Sequence, residues 1–98
     1  MIVSFGDRAT EDLFHGRGGG PARRLPSNIV TAAIRKLDVL NAAHSLQDMR
    51  SPPGNRLEAL RGDRRSFYSV RINDQWRLVF QWEDGNALNV QIVDYHRG

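Results

Sequence analysis

From Phe67 to Val93 apolar residues recur at every second position, and that period of two limits what this chain can fold into. Tyr68, Val70 and Ile72 alternate with Phe67, Ser69 and Arg71; Trp76, Leu78, Phe80 and Trp82 with Arg77, Val79 and Gln81; Leu88, Val90 and Ile92 with Asn89, Gln91 and Val93. Successive side chains of a strand point to opposite faces, so the pattern predicts three half-buried antiparallel strands with one face packed on helices. The turns decide which faces coincide. A two-residue turn at Asn73-Asp74 would set Val70 against Arg77 and mix core with solvent. A three-residue loop, Asn73–Gln75, pairs Ile72 with Trp76 and Val70 with Leu78 and keeps the apolar face whole. The same reasoning expects a three-residue loop at Glu83-Asp84-Gly85, with Gly85 in the left-handed conformation.

This register has an electrostatic consequence, because it stands Arg71 directly opposite Arg77 on the polar face. Like charges so placed cost some tenths of a kcal/mol. Either a neighbouring acid (Glu58, Asp63 or Asp94) neutralises the pair, or an anionic ligand does. The charge distribution favours an anion. Residues 50–77 hold seven arginines against three acids, a local +4, whereas the remainder sums to −1, so the net +3 arises in this one segment. Thirteen of the 14 basic residues are arginine, whose planar fork of donors suits phosphate. Arginine-favouring codon usage accounts for part of that bias but not for its clustering.

The first half of the chain reads as helical. Ile2–Phe5 is a short strand, and Asp7–His15 a helix capped by Asp7 with Ala9, Leu13 and Phe14 inward. Gly16–Pro21 breaks the pattern and is expected to be part of a flexible connection, since neither a preceding strand nor a following Lys-Ser/Thr makes it a phosphate loop. Ser27 opens the main helix, about Asn28–Ala43, on which Ile29, Ala33, Leu37 and Leu40 share one face. His44 follows as a partner for the helix C-terminus, and Pro52-Pro53-Gly54 ends this half. Ninety-eight residues without internal repeats form one domain, 1–98. With no cysteine, no apolar run near the roughly 20 residues of a membrane span and no signal-peptide pattern at Met1–Asp7, a cytoplasmic protein without membrane association is expected.

Asp94-Tyr95-His96 ends the last strand. Alternation carries Tyr95 to the side of Arg71 and Arg77, where its ring can stack on a base as single-stranded RNA recognition often requires. The same alternation turns Asp94 and His96 to the other face unless a twist or bulge intervenes. His96 is the side chain there whose ordinary pKa lies near neutrality, suiting proton transfer. Glu58 either pairs with Arg56 or Arg61 or, if it lies beside the arginine face, serves as a base toward a ribose 2′-hydroxyl. Arg64 and Arg65, at a loop tip, are expected to contact backbone phosphates, with Arg56, Arg61 and Arg71 extending the cationic surface. Trp76 and Trp82 belong to the core. The three scattered histidines form no metal-ligand pattern, and no cofactor is called for.

Together the segments 51–60, Gly62-Asp63, 69–78 and 93–96 resemble the HigB toxins, also called plasmid-maintenance killer proteins, of the RelE superfamily of bacterial type II toxin–antitoxin systems. The resemblance implies an α+β, RelE-like fold: an N-terminal strand and two helices packed on a twisted antiparallel sheet of four to five strands. It further implies a metal-independent mRNA interferase that acts in the ribosomal A site, cleaving by 2′-hydroxyl attack on the adjacent phosphate and so inhibiting translation. Its partners would be mRNA, ribosomal RNA and a HigA-like helix-turn-helix antitoxin, with operator DNA contacted only through the antitoxin complex. On this resemblance Asp94, Tyr95 and His96 fall on the C-terminal catalytic triplet, and Arg77 on a phosphate-contacting arginine. Arg61 stands where relatives often carry lysine. Glu58 departs from members with histidine at that place, which puts the acid–base assignment in question. The alternative is a non-catalytic module that binds RNA, ribosome or antitoxin through the arginine face. An operator-binding protein in its own right is disfavoured, because no helix-turn-helix with a basic recognition helix is visible.

Overall fold

The computed structural model describes residues 1–17, 20–50, 55–62 and 66–95. Helix α1 spans Arg8–Phe14, α2 Ser27–Ala42, and four strands follow: β1 Glu58–Ala59, β2 Phe67–Arg71, β3 Trp76–Glu83 and β4 Asn86–Asp94. The strands form one antiparallel sheet in the order β1-β2-β3-β4. Pro52, Pro53, Gly54, Arg64, Arg65 and His96 lie outside the described residues.

Both helices form where the sequence predicts. Asp7 accepts a hydrogen bond from the Thr10 N–H at 2.8 Å, capping α1. Helix α2 begins at Ser27 itself, with Pro26 at its N-cap and no side-chain cap. Its buried residues are Ile29, Ala33, Leu37 and Leu40, the face the spacing predicts. They meet Val70, Leu78, Phe80, Ala87, Val90 and Ile92 of the sheet in one core. Full burial of a large apolar side chain contributes about 1.5–3 kcal/mol, so this stripe is the principal adhesive between layers. The Thr10 hydroxyl accepts from the Ile92 N–H at 2.9 Å and fastens α1 to β4. Part of the expected flexible connection is a turn of 3-10 helix, Gly20–Arg24, followed by Leu25 packed in the core. A second such turn, Leu46–Arg50, buries Met49, and Asp48 receives the His44 and Ser45 N–H groups there. Those two donors hold the Asp48 carboxyl below the usual carboxylate range.

The β2–β3 connection is the loop Asn73–Gln75, with Val70 opposite Leu78 and Arg71 opposite Arg77 as expected. The β3–β4 turn differs. Glu83 pairs with Asn86, leaving two turn residues, Asp84 and Gly85, both at positive φ (52° and 80°). Asp-Gly suits this primed hairpin turn because its twist matches that of the strands. The residue lost from the turn reappears as a bulge: Asn89 and Val90 lie between partners of Gln81 and Val79, where β3 has only Phe80. Asn89 takes φ 52°. The bulge inverts the alternation, so Ala87 joins the core beside Trp82 while Leu88, expected inward, shares the face of Gln81.

The bulge also accounts for the N-terminal segment. Ile2 and Phe5 bridge to Ala87 and Val90, parallel to β4 and on either side of the bulge, in place of an uninterrupted strand. Between the bridges the Ser4 hydroxyl accepts from the Asn89 N–H at 2.8 Å. Gly6 completes the approach, because a Cβ there would come within 2.3 Å of the Gln91 side chain.

Asn55 anchors the start of the sheet. Its side chain is fully buried, with Nδ2 donating to the Met49 carbonyl at 3.1 Å and Oδ1 accepting from Lys36 Nζ. One amide thus joins the second 3-10 turn, α2 and the approach to β1. Burial, and then the charge of Arg71, lower the Lys36 pKa. Replacing Asn55 by Ala orphans buried groups, and urea unfolding should report a loss of about 1–3 kcal/mol. At the bulge, Asn89→Val should cost about 1–3 kcal/mol and Asn89→Gly less than about 1 kcal/mol, because only the β-branched residue resists positive φ. Equal unfolding midpoints for the two variants would contradict this reading of the bulge.

Candidate functional site

Residues opposed across an antiparallel pair share a face, and the register therefore fixes which candidate side chains can meet. Glu58 lies opposite Ser69, Ser69 opposite Val79, Arg71 opposite Arg77, and Arg77 opposite Val93. Glu58, Arg71 and Arg77 accordingly emerge on one face, and Tyr95, two residues beyond Val93, follows them. At this end of the sheet an open cleft of about 650 Å³ is lined by Glu58, Ala59, Leu60, Asp74, Gln75, Arg77 and Tyr95. That volume lies within the range of roughly 300–1,000 Å³ typical of small-molecule clefts.

The like-charged pair is resolved asymmetrically. Arg71 is paired by Asp74, three residues on in the β2–β3 loop, and not by Glu58 or Asp94. The hydrogen bond and charge of Arg71 hold the Asp74 carboxyl below the usual carboxylate range, although Asp74 is almost fully solvent-exposed. Arg77 forms no ion pair among the described residues. Its Nη1 donates to the carbonyls of Asn73 and, at 3.2 Å, Trp76, and its guanidinium carbon lies 5.3 Å from the centre of the Tyr95 ring. Stacking of this kind contributes about 0.5–1 kcal/mol at an exposed site. The cation is thereby held in the cleft with no ion-pair partner among the described residues. Tyr95, expected as a platform for a base, has one ring face occupied by Arg77.

Glu58 does not pair with Arg56 or Arg61. Among the described residues it forms no ion pair, and it stands exposed at the cleft edge. A carboxylate, a guanidinium that makes no ion pair among the described residues and an aromatic wall thus share one opening. Asp94 behaves as strict alternation requires: it lies opposite Trp76, outside the cleft lining, and accepts from Gln75 Nε2 at 3.2 Å. Arg56 and Arg61 are exposed and do not line the cleft, and Arg56 holds φ at 47°. Arg64, Arg65 and His96 fall outside the described residues. The chain order does not reveal that Ala59, Leu60 and Gln75 also line the opening. Gln75 reads as a plain turn residue, and only the register brings Tyr95 back to it. No group of acids and histidines able to hold a metal ion occurs among the described residues.

Comparisons with known proteins agree with this architecture. The profile of the HigB-like toxins, described as RelE-like toxins of the type II toxin–antitoxin system HigB, matches residues 4–96. The chain is 49% identical over 97 residues to Toxin HigB-1 of Vibrio cholerae serotype O1, covering 99% of each chain. It is 27% identical over 96 residues to Endoribonuclease HigB of Proteus vulgaris, covering 98% of this chain and all of that one. In fold it is similar to the Staphylococcus aureus YoeB–YefM complex chain, at TM-score 0.60 and 15% identity over 99% of each chain. With a matched profile spanning almost the whole sequence and a relative sharing nearly half its residues, the chain belongs to the HigB-like toxins, RelE-like toxins of type II toxin–antitoxin systems.

Proposed function

We propose that this toxin is a ribosome-dependent mRNA interferase and that the cleft between β1, the β2–β3 loop and Tyr95 is its active site. The observation that carries the reading is the state of Arg77. It is held over Tyr95 and by two carbonyls, yet has no acid partner among the described residues, and it shares its cleft with Glu58. A preorganised cation beside a carboxylate suits phosphoryl chemistry, in which charge develops on the non-bridging oxygens. The name of the Proteus vulgaris relative, an endoribonuclease, supports the same reading.

In the proposed reaction a ribose 2′-oxygen attacks the adjacent phosphorus, and the bond from phosphorus to the 5′-oxygen breaks. The products are a 2′,3′-cyclic phosphate and a 5′-hydroxyl. Glu58 takes the proton from the 2′-hydroxyl, and Arg77 stabilises the charge on the pentavalent phosphorus centre. His96, assigned from sequence alone, returns a proton to the departing oxygen. No metal ion enters this scheme. Asp94 steadies the strand end from outside the cleft, Arg71 adds positive potential beside Arg77, and Arg56, Arg61, Arg64 and Arg65 follow the RNA backbone. The ribosomal A site supplies the substrate in the position expected of RelE-like toxins. A HigA-like helix-turn-helix antitoxin is the proposed partner; the similar Staphylococcus aureus chain comes from a YoeB–YefM complex. Operator DNA would be reached only through that complex.

A second reading, a non-catalytic module that blocks the ribosome through the same arginine face, is favoured by the position of Asp94 outside the cleft. Induced expression of single variants tests the site. Arg77→Ala should lower cleavage by about 10²- to 10³-fold, and either Arg77→Ala or His96→Ala should relieve growth arrest. Full toxicity from both variants, each shown to fold, would contradict the assignment.

A further inference from the structure

The Asn73–Gln75 loop does more than reverse the chain, because Arg71, Arg77, Asp94 and Tyr95 are all tied to it. The Asn73 side-chain oxygen accepts from the N–H groups of Gln75 (2.9 Å) and Trp76 (2.8 Å), which locks the loop against itself. In that conformation the Asn73 carbonyl accepts from Arg77 Nη1 and the Gln75 carbonyl accepts from the Tyr95 N–H. The Gln75 side chain reaches Asp94, and Asp74 pairs with Arg71. Arg77 and Tyr95 come from different strands, β3 and the end of β4, and are mutually stacked at 5.3 Å. The loop is bonded to both partners of that stack.

We infer that Asn73 and Gln75 are positioning residues which set the Arg77 guanidinium and the Tyr95 ring in register with the phosphate to be cleaved. This rests on the proposed RNA cleavage at the same cleft. Neither side chain needs to touch the reacting atoms. Asn73 fixes the direction of the two carbonyls, and Gln75 joins the loop to the last strand by a backbone and a side-chain bond. Losing the Asn73 acceptor frees two N–H groups and lets the loop relax, and small displacements of a positioned group are costly to rate. Asp74 has a separate task. By pairing Arg71 while Arg77 makes no ion pair among the described residues, it leaves Arg77 as the stronger anion site of the two.

The test compares wild type, Asn73→Ala, Asn73→Asp and Gln75→Ala by two measurements. Single-turnover cleavage on programmed ribosomes, with affinity for the ribosome measured separately, reads function. The Arg77 Nε–H resonance, whose shift reports the Tyr95 ring current, reads geometry in the free protein. For Asn73→Ala and Gln75→Ala we expect cleavage slowed about 10- to 100-fold, nearly unchanged ribosome affinity and an Arg77 resonance moved toward its random-coil position. Asn73→Asp keeps an acceptor oxygen and should restore most of the rate and the shift. Wild-type cleavage by Asn73→Ala and Gln75→Ala, or slowed cleavage with the Arg77 resonance unmoved, would overturn the inference. If the wild type itself cleaves no RNA, the functional reading fails, and the resonance still decides whether the loop sets the stack.

Discussion

The register of β2 against β3 is the constraint on which the rest of this structure depends. Three loop residues, Asn73–Gln75, allow Val70 to face Leu78, and that apolar match commits Arg71 and Arg77 to oppose each other. A slip of one residue would bury the guanidinium groups and expose the core, a far larger penalty than the few tenths of a kcal/mol of repulsion that the observed register costs. The repulsion is then relieved locally. Asp74 pairs Arg71, while Arg77 turns to backbone carbonyls and the Tyr95 ring. The folding requirement of the hairpin thus places a cation without an ion-pair partner among the described residues at the mouth of a cleft.

The opposite side of the sheet shows a second compromise. The tight Asp84-Gly85 turn and the Asn89 bulge together return Val90 and Ile92 to the core. The bulge interrupts pairing with the N-terminal segment, which Ser4 partly repairs through the Asn89 N–H. It also restores the parity that carries Val93 and Tyr95 to the face of Arg77. With the two-residue turn but without that extra residue, the last strand would present Asp94 to the cleft and hide Tyr95.

Much of this was legible in the sequence because burial enforces periodicity. Ile29, Ala33, Leu37 and Leu40 had one possible home, and the β2–β3 register followed from keeping the apolar face intact. The bulge was not legible: Leu88 and Ala87 are both apolar, so exchanging their faces leaves the pattern unchanged. Asn55 and Gln75 were missed for a different reason. Their importance comes from partners distant in the chain, Lys36 and Met49 for one and Asp94 and Tyr95 for the other, and local sequence carries no signal for such bonds. Glu58 was ambiguous between an ion pair and the arginine face until the pairing of β1 with β2 put it on that face. The substrate proposed for the cleft, mRNA, comes from the resemblance to HigB toxins and not from periodicity.

Whether the Arg77 cleft breaks RNA or only occupies the ribosome is decided most directly by mapping 5′ ends of cellular mRNA soon after induction of the intact toxin. Cleavage by 2′-hydroxyl attack predicts discrete new ends within translated codons, each bearing a 5′-hydroxyl and matched by an upstream 2′,3′-cyclic phosphate. Growth arrest with no new ends would contradict it and leave the cleft as a binding surface.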